Sequence, residues 1–287
     1  MTGANIERLR DPMGLYRLGY AGSLLEYPTV RWEGDTRTEQ AERIVEETPV
    51  AIVYNGIPHV VMMATPADLE DFALGFSLTE ELIQSPADLE HLEIVRYSRG
   101  VEIQATVAAR CAAVIAERTR RLTGRTGCGI CGADSVDSVL KEIHPIRSGS
   151  PIAVSSVQKA LDSLASNQPL NAATGAVHAA GWARADGTLE FMREDVGRHN
   201  ALDKLVGAAV RANVTPSDGF VIVTSRASFE MVQKTTVLGA PLLAAISGPT
   251  GLAVRVAEQA GLTLVGFARR GRLTVYTHPE RLVADGA

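Results

Sequence analysis

Cysteine is scarce: three residues in 287, at Cys111, Cys128 and Cys131. So odd and small a number makes no disulfide framework, and a reducing compartment leaves a C-x-x-C pair free for catalysis or metal. A basic excess is missing as well. Lys and Arg total 28 against 33 Asp and Glu, for a net charge of -5, which argues against a general nucleic-acid binder. Local basic clusters can still hold an anionic ligand. No apolar run approaches the ~20 residues needed to cross a bilayer. The opening stretch, Met1 to Pro12, is polar and lacks a signal-peptide core. A cytoplasmic protein without nucleic-acid or membrane partners is expected. What is present is ordinary for a soluble globular chain: 46% hydrophobic, 21% charged, mean hydropathy +0.06. The length suggests about two domains.

Residues 1–25 carry Gly, Pro and mixed charge without period, so a loose leader is expected. Residues 26–117 read as a small α+β unit. Tyr27 to Glu33 alternates weakly as a strand, and Pro49–Tyr54 and Val60–Met63 flank Asn55-Gly56 as a hairpin. Thr65-Pro66-Ala67-Asp68 offers an N-cap, a proline at N1 and an acid at N3 for a helix with Leu69, Phe72, Phe76, Leu82 and Ile83 on its apolar face. A second hairpin, Leu92–Tyr97 with Val101–Val107, turns at Arg99-Gly100.

Residues 118–283 read as an α/β domain. Helices are expected over 155–168, 198–214, 228–238 and 251–260. Strands are expected over 176–183, 188–193, 219–224, 241–246 and 262–267. Such alternation implies right-handed crossovers and a largely parallel sheet covered on both faces, a three-layer α/β architecture.

The stretch Gly127-Cys128-Gly129-Ile130-Cys131-Gly132 stands out. Glycines around both thiols give them little side-chain cover. Downstream, Val136, Val139, Leu140 and Ile143 fall at helical spacing, with Asp134 or Ser135 available as N-cap. A thiol near a helix N-terminus becomes a better thiolate, the form that attacks sulfur or binds metal. Just upstream, Arg118, Arg120, Arg121 and Arg125 form either a solvated linker or a basic segment that depresses thiol pKa and attracts phosphate.

Two further polar runs follow expected strands, where ligands bind in α/β sheets. Arg193-Glu194-Asp195-Val196-Gly197-Arg198-His199-Asn200 holds more charged and hydrogen-bonding side chains than a helix cap needs, so a site that includes Arg193, Asp195 and His199 is favoured over an elaborate cap. Phe267-Ala268-Arg269-Arg270-Gly271-Arg272 sets three guanidiniums around a glycine, suited to pyrophosphate but equally compatible with a basic hairpin turn. Gly248-Pro249-Thr250-Gly251 reads only as a loop opening a helix.

The motifs Thr126–Gly132, Arg193–Lys204, Ser228–Lys234 and Gly266–Arg272, together with Thr65–Phe76, closely resemble the formate dehydrogenase accessory sulfurtransferase family over residues 45–283. That resemblance implies a sulfur carrier with a cytidine-deaminase-like larger domain. It would receive sulfur from an L-cysteine desulfurase as a cysteine persulfide and pass it to a molybdenum bis(molybdopterin guanine dinucleotide) cofactor destined for the catalytic subunit of formate dehydrogenase. By motif match Cys128 carries the persulfide and Cys131 assists. Phe267, Ala268, Arg269, Arg270, Gly271 and Arg272 bind the cofactor through its guanine nucleotide, and a homodimer is expected. Glu81 and Gly248 stand where the resemblance leads one to expect a glycine and an alanine.

Two other classes compete. A zinc module needs four ligands, and one C-x-x-C supplies two; no second C-x-x-C or H-x₃₋₅-H pair exists, so Cys111, His144 or His178 would complete it only by accident of folding. A thiol oxidoreductase fits C-x-x-C alone, although glycine-rich flanks are unlike a rigid redox pair. Deamination is rejected, because the H-x-E and P-C-x-x-C signature is missing.

Overall fold

The computed structural model describes residues 22–122, 143–146, 149–269 and 271–285, with side chains between 22 and 122 described as far as Thr119. The expected leader up to residue 21, the helix over 136–142 and both loop cysteines lie outside the described residues.

The described residues open with an antiparallel ribbon, β1 (Leu24–Glu33) and β2 (Thr36–Val45). The second strand gave little sequence signal, because Thr36 to Val45 is polar and mostly exposed. A four-stranded sheet of order β4-β3-β6-β5 follows, built from β3 (Thr48–Tyr54), β4 (Ile57–Ala64), β5 (Leu89–Tyr97) and β6 (Gly100–Val107). Both expected hairpins are present. Asn55 (φ 49°) and Gly56 (φ 79°) supply the consecutive left-handed residues that such a turn demands.

Helix α1 (Leu69–Thr79) covers this sheet, and α2 (Ala109–Leu122) joins it through buried Cys111 and Ile115. Two expectations change here. Thr65 is not the N-cap of α1. The helix starts at Leu69 after Asp68 (φ 53°), because the Thr65 backbone N–H and hydroxyl are engaged with Asp195 and Val196. The helix also stops at Thr79, so Leu82 and Ile83 are buried beyond its end. The basic segment is likewise no linker as far as Leu122, since it closes α2.

The larger unit contains β7 (Ile152–Ala153), α3 (Val154–Ser166), α4 (Pro169–Thr174), β8 (His178–Arg184), β9 (Leu189–Asp195), α5 (Arg198–Arg211), β10 (Gly219–Val223), α6 (Phe229–Leu238), β11 (Leu242–Ala245), α7 (Gly251–Ala260), β12 (Thr263–Arg269), β13 (Arg272–Thr277) and β14 (Leu282–Val283). Six of these strands form one sheet, ordered β13-β12-β11-β10-β8-β9. Neighbours β10, β11 and β12 pair in parallel, whereas β8–β9, β8–β10 and β12–β13 pair antiparallel. The sheet is therefore mixed, not largely parallel, because tight turns at Asp186-Gly187 and before Arg272 can join only antiparallel strands.

Strand β10, Gly219-Phe-Val-Ile-Val223, is buried at every position, as a central strand with both faces covered must be. On one face α5, α6 and α7 contribute Leu202, Leu205, Val206, Met231, Val232 and Val256. On the other, α3 contributes Val157, Leu161 and Leu164. Each fully buried Leu or Val of these faces contributes roughly 1.5–3 kcal/mol.

The two units meet where α1 crosses α5. A Cβ on Gly75 would lie 1.7 Å from the Asp203 carbonyl oxygen, and one on Gly207 would lie 1.9 Å from that of Asp71. The helices thus touch backbone to backbone, which only glycine permits at those two positions.

Candidate functional site

Strands β9, β10, β11 and β12 run in one direction, so their carboxyl ends share one edge of the sheet. The N-termini of α5, α6 and α7 open at that edge too. Unpaired backbone N–H groups and helix dipoles make such an edge attractive to anions. The loops 224–228 and 246–250 and the end of β12 line it and are tied together: Thr250 N donates to Ala227 O (3.0 Å), and Phe267 N donates to Ser247 O (3.1 Å).

Among the described residues, three buried polar atoms at helix starts on this edge lack a hydrogen-bond partner: Ser228 Oγ, Arg198 Nε and His199 Nε2. His199 Nε2 lies 3.0 Å from Glu230 Oε2. Burial alone would raise the Glu230 pKa, but the adjoining His199, helped by Lys234, holds it below the ordinary glutamate range. His178, at the start of β8, is pushed down by burial and by the positive charges of Arg198 and His199, against Asp195.

At the far end of the same edge stands the β12–β13 hairpin. Phe267 has φ 50° although it is not glycine, the kind of strained backbone that collects at functional sites. The residue is 39% exposed, and its ring lies over Gly248, where an added Cβ would sit 2.7 Å from it. Gly266 is needed for the same reason, since a Cβ there would meet Pro249 at 2.7 Å. Gly248-Pro249 is thus the seat of Phe267 and more than a loop opening a helix. Arg269 and Arg272 are exposed and paired across the turn, and Arg269 Nε donates to Ile246 O (3.4 Å). Gly271 (φ 69°) donates its N–H to Gln158 Oε1 (3.2 Å), which anchors the tip to α3. Ala268 is buried, so its methyl belongs to the core and only its backbone is near the tip. Arg270 lies outside the described residues, as do Cys128 and Cys131.

The other sequence candidates are placed differently. Asp195 is fully buried, 2.6 Å from Lys204 Nζ, itself fully buried, and accepts from Thr65 N, Gly197 N and Asn200 Nδ2. Both its oxygens are used inside the protein. Arg193 grips Asp71 with Nε and Nη2 at 2.9 and 2.6 Å, and Arg211 holds the other oxygen at 2.8 Å. Glu194 accepts from Leu170 N and Asn171 N at the start of α4. Arg193 and Asp195 thus lock β9 and α5 onto the N-terminal unit. His199 remains at the edge, but three strands separate β9 from β12, about 19 Å at ordinary strand spacing. The structure does not bring it against Phe267. Sequence reasoning passed over Gln158, named Arg198 and Ser228 only as members of longer motifs, and gave Gly248 no part in a site.

Among the described residues no group of three His, Cys, Asp or Glu side chains could hold a metal ion. Cys111 is buried among apolar side chains near Asp88, with its thiol pKa raised mainly by burial, and His144 pairs with Glu81. No described helix is long and apolar enough to cross a membrane.

Comparison with known proteins adds the family. Residues 45–283 match the model of the FdhD/NarQ family. A sulfur carrier protein FdhD from Bordetella petrii is 49% identical over 243 residues, covering 85% of this chain and 87% of that protein. One from Xanthomonas axonopodis pv. citri is 50% identical over 252 residues, covering 88% and 90%. A crystal structure from Desulfotalea psychrophila, described as a formate dehydrogenase accessory protein, superimposes with a TM-score of 0.72 at 25% identity, covering 91% of this chain and 99% of that one. By the match over residues 45–283 and these two relatives, the chain belongs to the FdhD/NarQ family.

Proposed function

We propose that this protein is a sulfur carrier that serves formate dehydrogenase. Cys128 would take sulfane sulfur from the persulfide of an L-cysteine desulfurase. Its thiolate attacks the terminal sulfur, the S–S bond to the donor cysteine breaks, and the donor leaves as a thiolate. The sulfur then passes to the molybdenum of a bis(molybdopterin guanine dinucleotide) cofactor, bound as substrate and bound next by the formate dehydrogenase catalytic subunit. Cys131 assists unloading: its thiolate attacks Cys128 Sγ, a Cys128–Cys131 disulfide forms as the persulfide S–S bond breaks, and the outer sulfur leaves as sulfide to become the metal's ligand. The larger unit is taken to follow the cytidine-deaminase-like plan without deaminase chemistry, in a cytoplasmic homodimer.

The observation that supports this best is the β12–β13 tip. An exposed aromatic ring held on a strained backbone, beside Arg269 and Arg272, suits a guanine base and its phosphates. Ser228 Oγ and Arg198 Nε leave further donors along the same edge. Arg193 and Asp195 support the reading indirectly, by fixing the strand end from which α5 starts. Incubation with a desulfurase and cysteine should add sulfur to the Cys128 peptide, read by mass spectrometry, and Cys128→Ala should abolish it. Unaltered loading of Cys128→Ala would sink the assignment. Stoichiometric zinc in the purified protein would instead favour a structural metal module.

A further inference from the structure

We propose that Glu81 is a positioning residue that ties together the two chain segments bordering residues 123–142, the stretch that contains Cys128 and Cys131. Its functional half rests on the sulfur-carrier reading; its structural half stands alone.

Glu81 follows the C-terminus of α1 and has φ 55°. Asparagine, aspartate and glycine adopt this left-handed backbone readily, whereas a long side chain there is unusual and strained. The side chain is held from two directions. Glu81 Oε1 lies 2.9 Å from His144 Nε2, and Glu81 Oε2 lies 3.6 Å from Arg118 Nη2. Arg118 also donates through Nη1 to the Glu80 carbonyl. Arg118 sits one turn before the end of α2, on the chain entering 123–142, and His144 sits just after that stretch. One carboxylate therefore meets both.

Each segment is also held independently, so the tie fixes one against the other. Upstream, Cys111 and Ile115 of α2 are buried in the N-terminal core. Downstream, Ile143 and Ile146 pack against the core of the larger unit, and Ile146 N donates to Ala260 O (2.8 Å). The base that presents Glu81 is anchored to the larger unit as well. Lys234 Nζ on α6 reaches Glu80 Oε1 and Thr79 Oγ1, each at 2.9 Å, and Asp203 Oδ1 at 2.8 Å. Glu81, Arg118 and His144 keep 28%, 35% and 48% of their side chains exposed, so these pairs are solvent-screened and contribute little to global stability. Their effect is local, because they fix Arg118 and His144 relative to each other.

That separation of effects gives the test, on the full-length protein with Glu81→Gly and Glu81→Gln. Thermal midpoint, hydrogen exchange of peptides covering 112–122 and 143–147, and sulfur uptake by Cys128 from a desulfurase would be measured, with alkylation of buried Cys111 as an internal control. Glu81→Gly removes the backbone strain and should keep or raise the midpoint. Exchange on both flanks should rise nonetheless, and uptake at Cys128 should fall about threefold to tenfold, the scale of effect expected of lost positioning. Glu81→Gln retains an acceptor for His144 but not the charge facing Arg118, and should fall between. Unchanged exchange on the flanks in Glu81→Gly, or uptake equal to wild type, overturns the proposal. So does a midpoint that falls in step with exchange, since that marks an ordinary structural contact. If wild-type protein takes up no sulfur at all, the carrier reading fails while the exchange data still decide whether the tie exists.

Discussion

The seam between α1 and α5 and the tip of the β12–β13 hairpin are both dense in charge, and both follow the end of a strand. At the seam the charges are consumed. Asp195 pairs with Lys204, Asp71 with Arg193 and Arg211, and Asp203 with Lys234, at 2.6–2.8 Å. Burial alone would lower the Lys234 pKa, yet the carboxylates of Asp203 and Glu80 outweigh it and hold the ammonium above the ordinary lysine range. At the tip Arg269 and Arg272 face solvent beside a strained aromatic. Like residues thus perform different work: a charge whose partner comes from within the chain holds architecture, and one left at an edge is free to meet a ligand.

The largest effects should come from the seam. Gly75→Val or Gly207→Val drives a side chain into backbone that cannot move aside, and should cost about 3 kcal/mol or more, read by urea denaturation or as loss of soluble protein. Breaking one buried pair, by Lys204→Met or by Asp195→Leu, should cost about 3–5 kcal/mol because it strands the opposite charge. The double variant should lose much less than the sum of the two. Additive losses would mean that the two residues are not coupled.

A smaller effect should appear with pH. His59 is buried and its pKa is pushed down to about 4, first by burial and then by Arg118, against Glu80. The unfolded chain takes up a proton near pH 6.5 and the folded one does not. The His59 contribution is therefore undiminished above pH 6.5 and is lost as pH falls from there toward 4, on the order of 2–3 kcal/mol. Urea midpoints of wild type and His59→Phe should converge over that window, and parallel curves would assign the acid loss to other groups.

The tip should give the smallest change in stability and the sharpest change in binding. Arg269→Glu with Arg272→Glu should shift unfolding by less than about 0.5 kcal/mol, as exposed substitutions do. Calorimetry should nonetheless show guanine nucleotide binding weakened at least about tenfold, the factor expected when charge-assisted contacts to phosphate are reversed. A tip that tolerates both reversals with full affinity would erase the contrast with the seam.

Much of the fold could be read in one dimension. The apolar repeat of Ala201, Leu202, Leu205, Val206 and Ala209 gives α5, the uninterrupted Gly219–Val223 gives a central strand, and Asn55-Gly56 gives its hairpin, because each depends on near neighbours in the chain. Strand β2 was silent since it covers no core, and α1 began late because Thr65 is engaged by residues far along the sequence. The arginine tip was equally legible as a compact run.

What the sequence by itself determined was the order of most elements, which faces of its helices and strands are apolar, and the clustering of charge at strand ends. Only the tertiary structure decided which of those charges remain available. Asp195 and Lys204 are nine residues apart on successive elements and meet only when α5 folds back on β9, whereas Asp71 and Arg193 are more than a hundred apart and pair across the seam where two glycines let α1 and α5 touch. Periodicity records which face is apolar, whereas neutralisation of a charge depends on what lies within about 4 Å, a distance that folding alone sets.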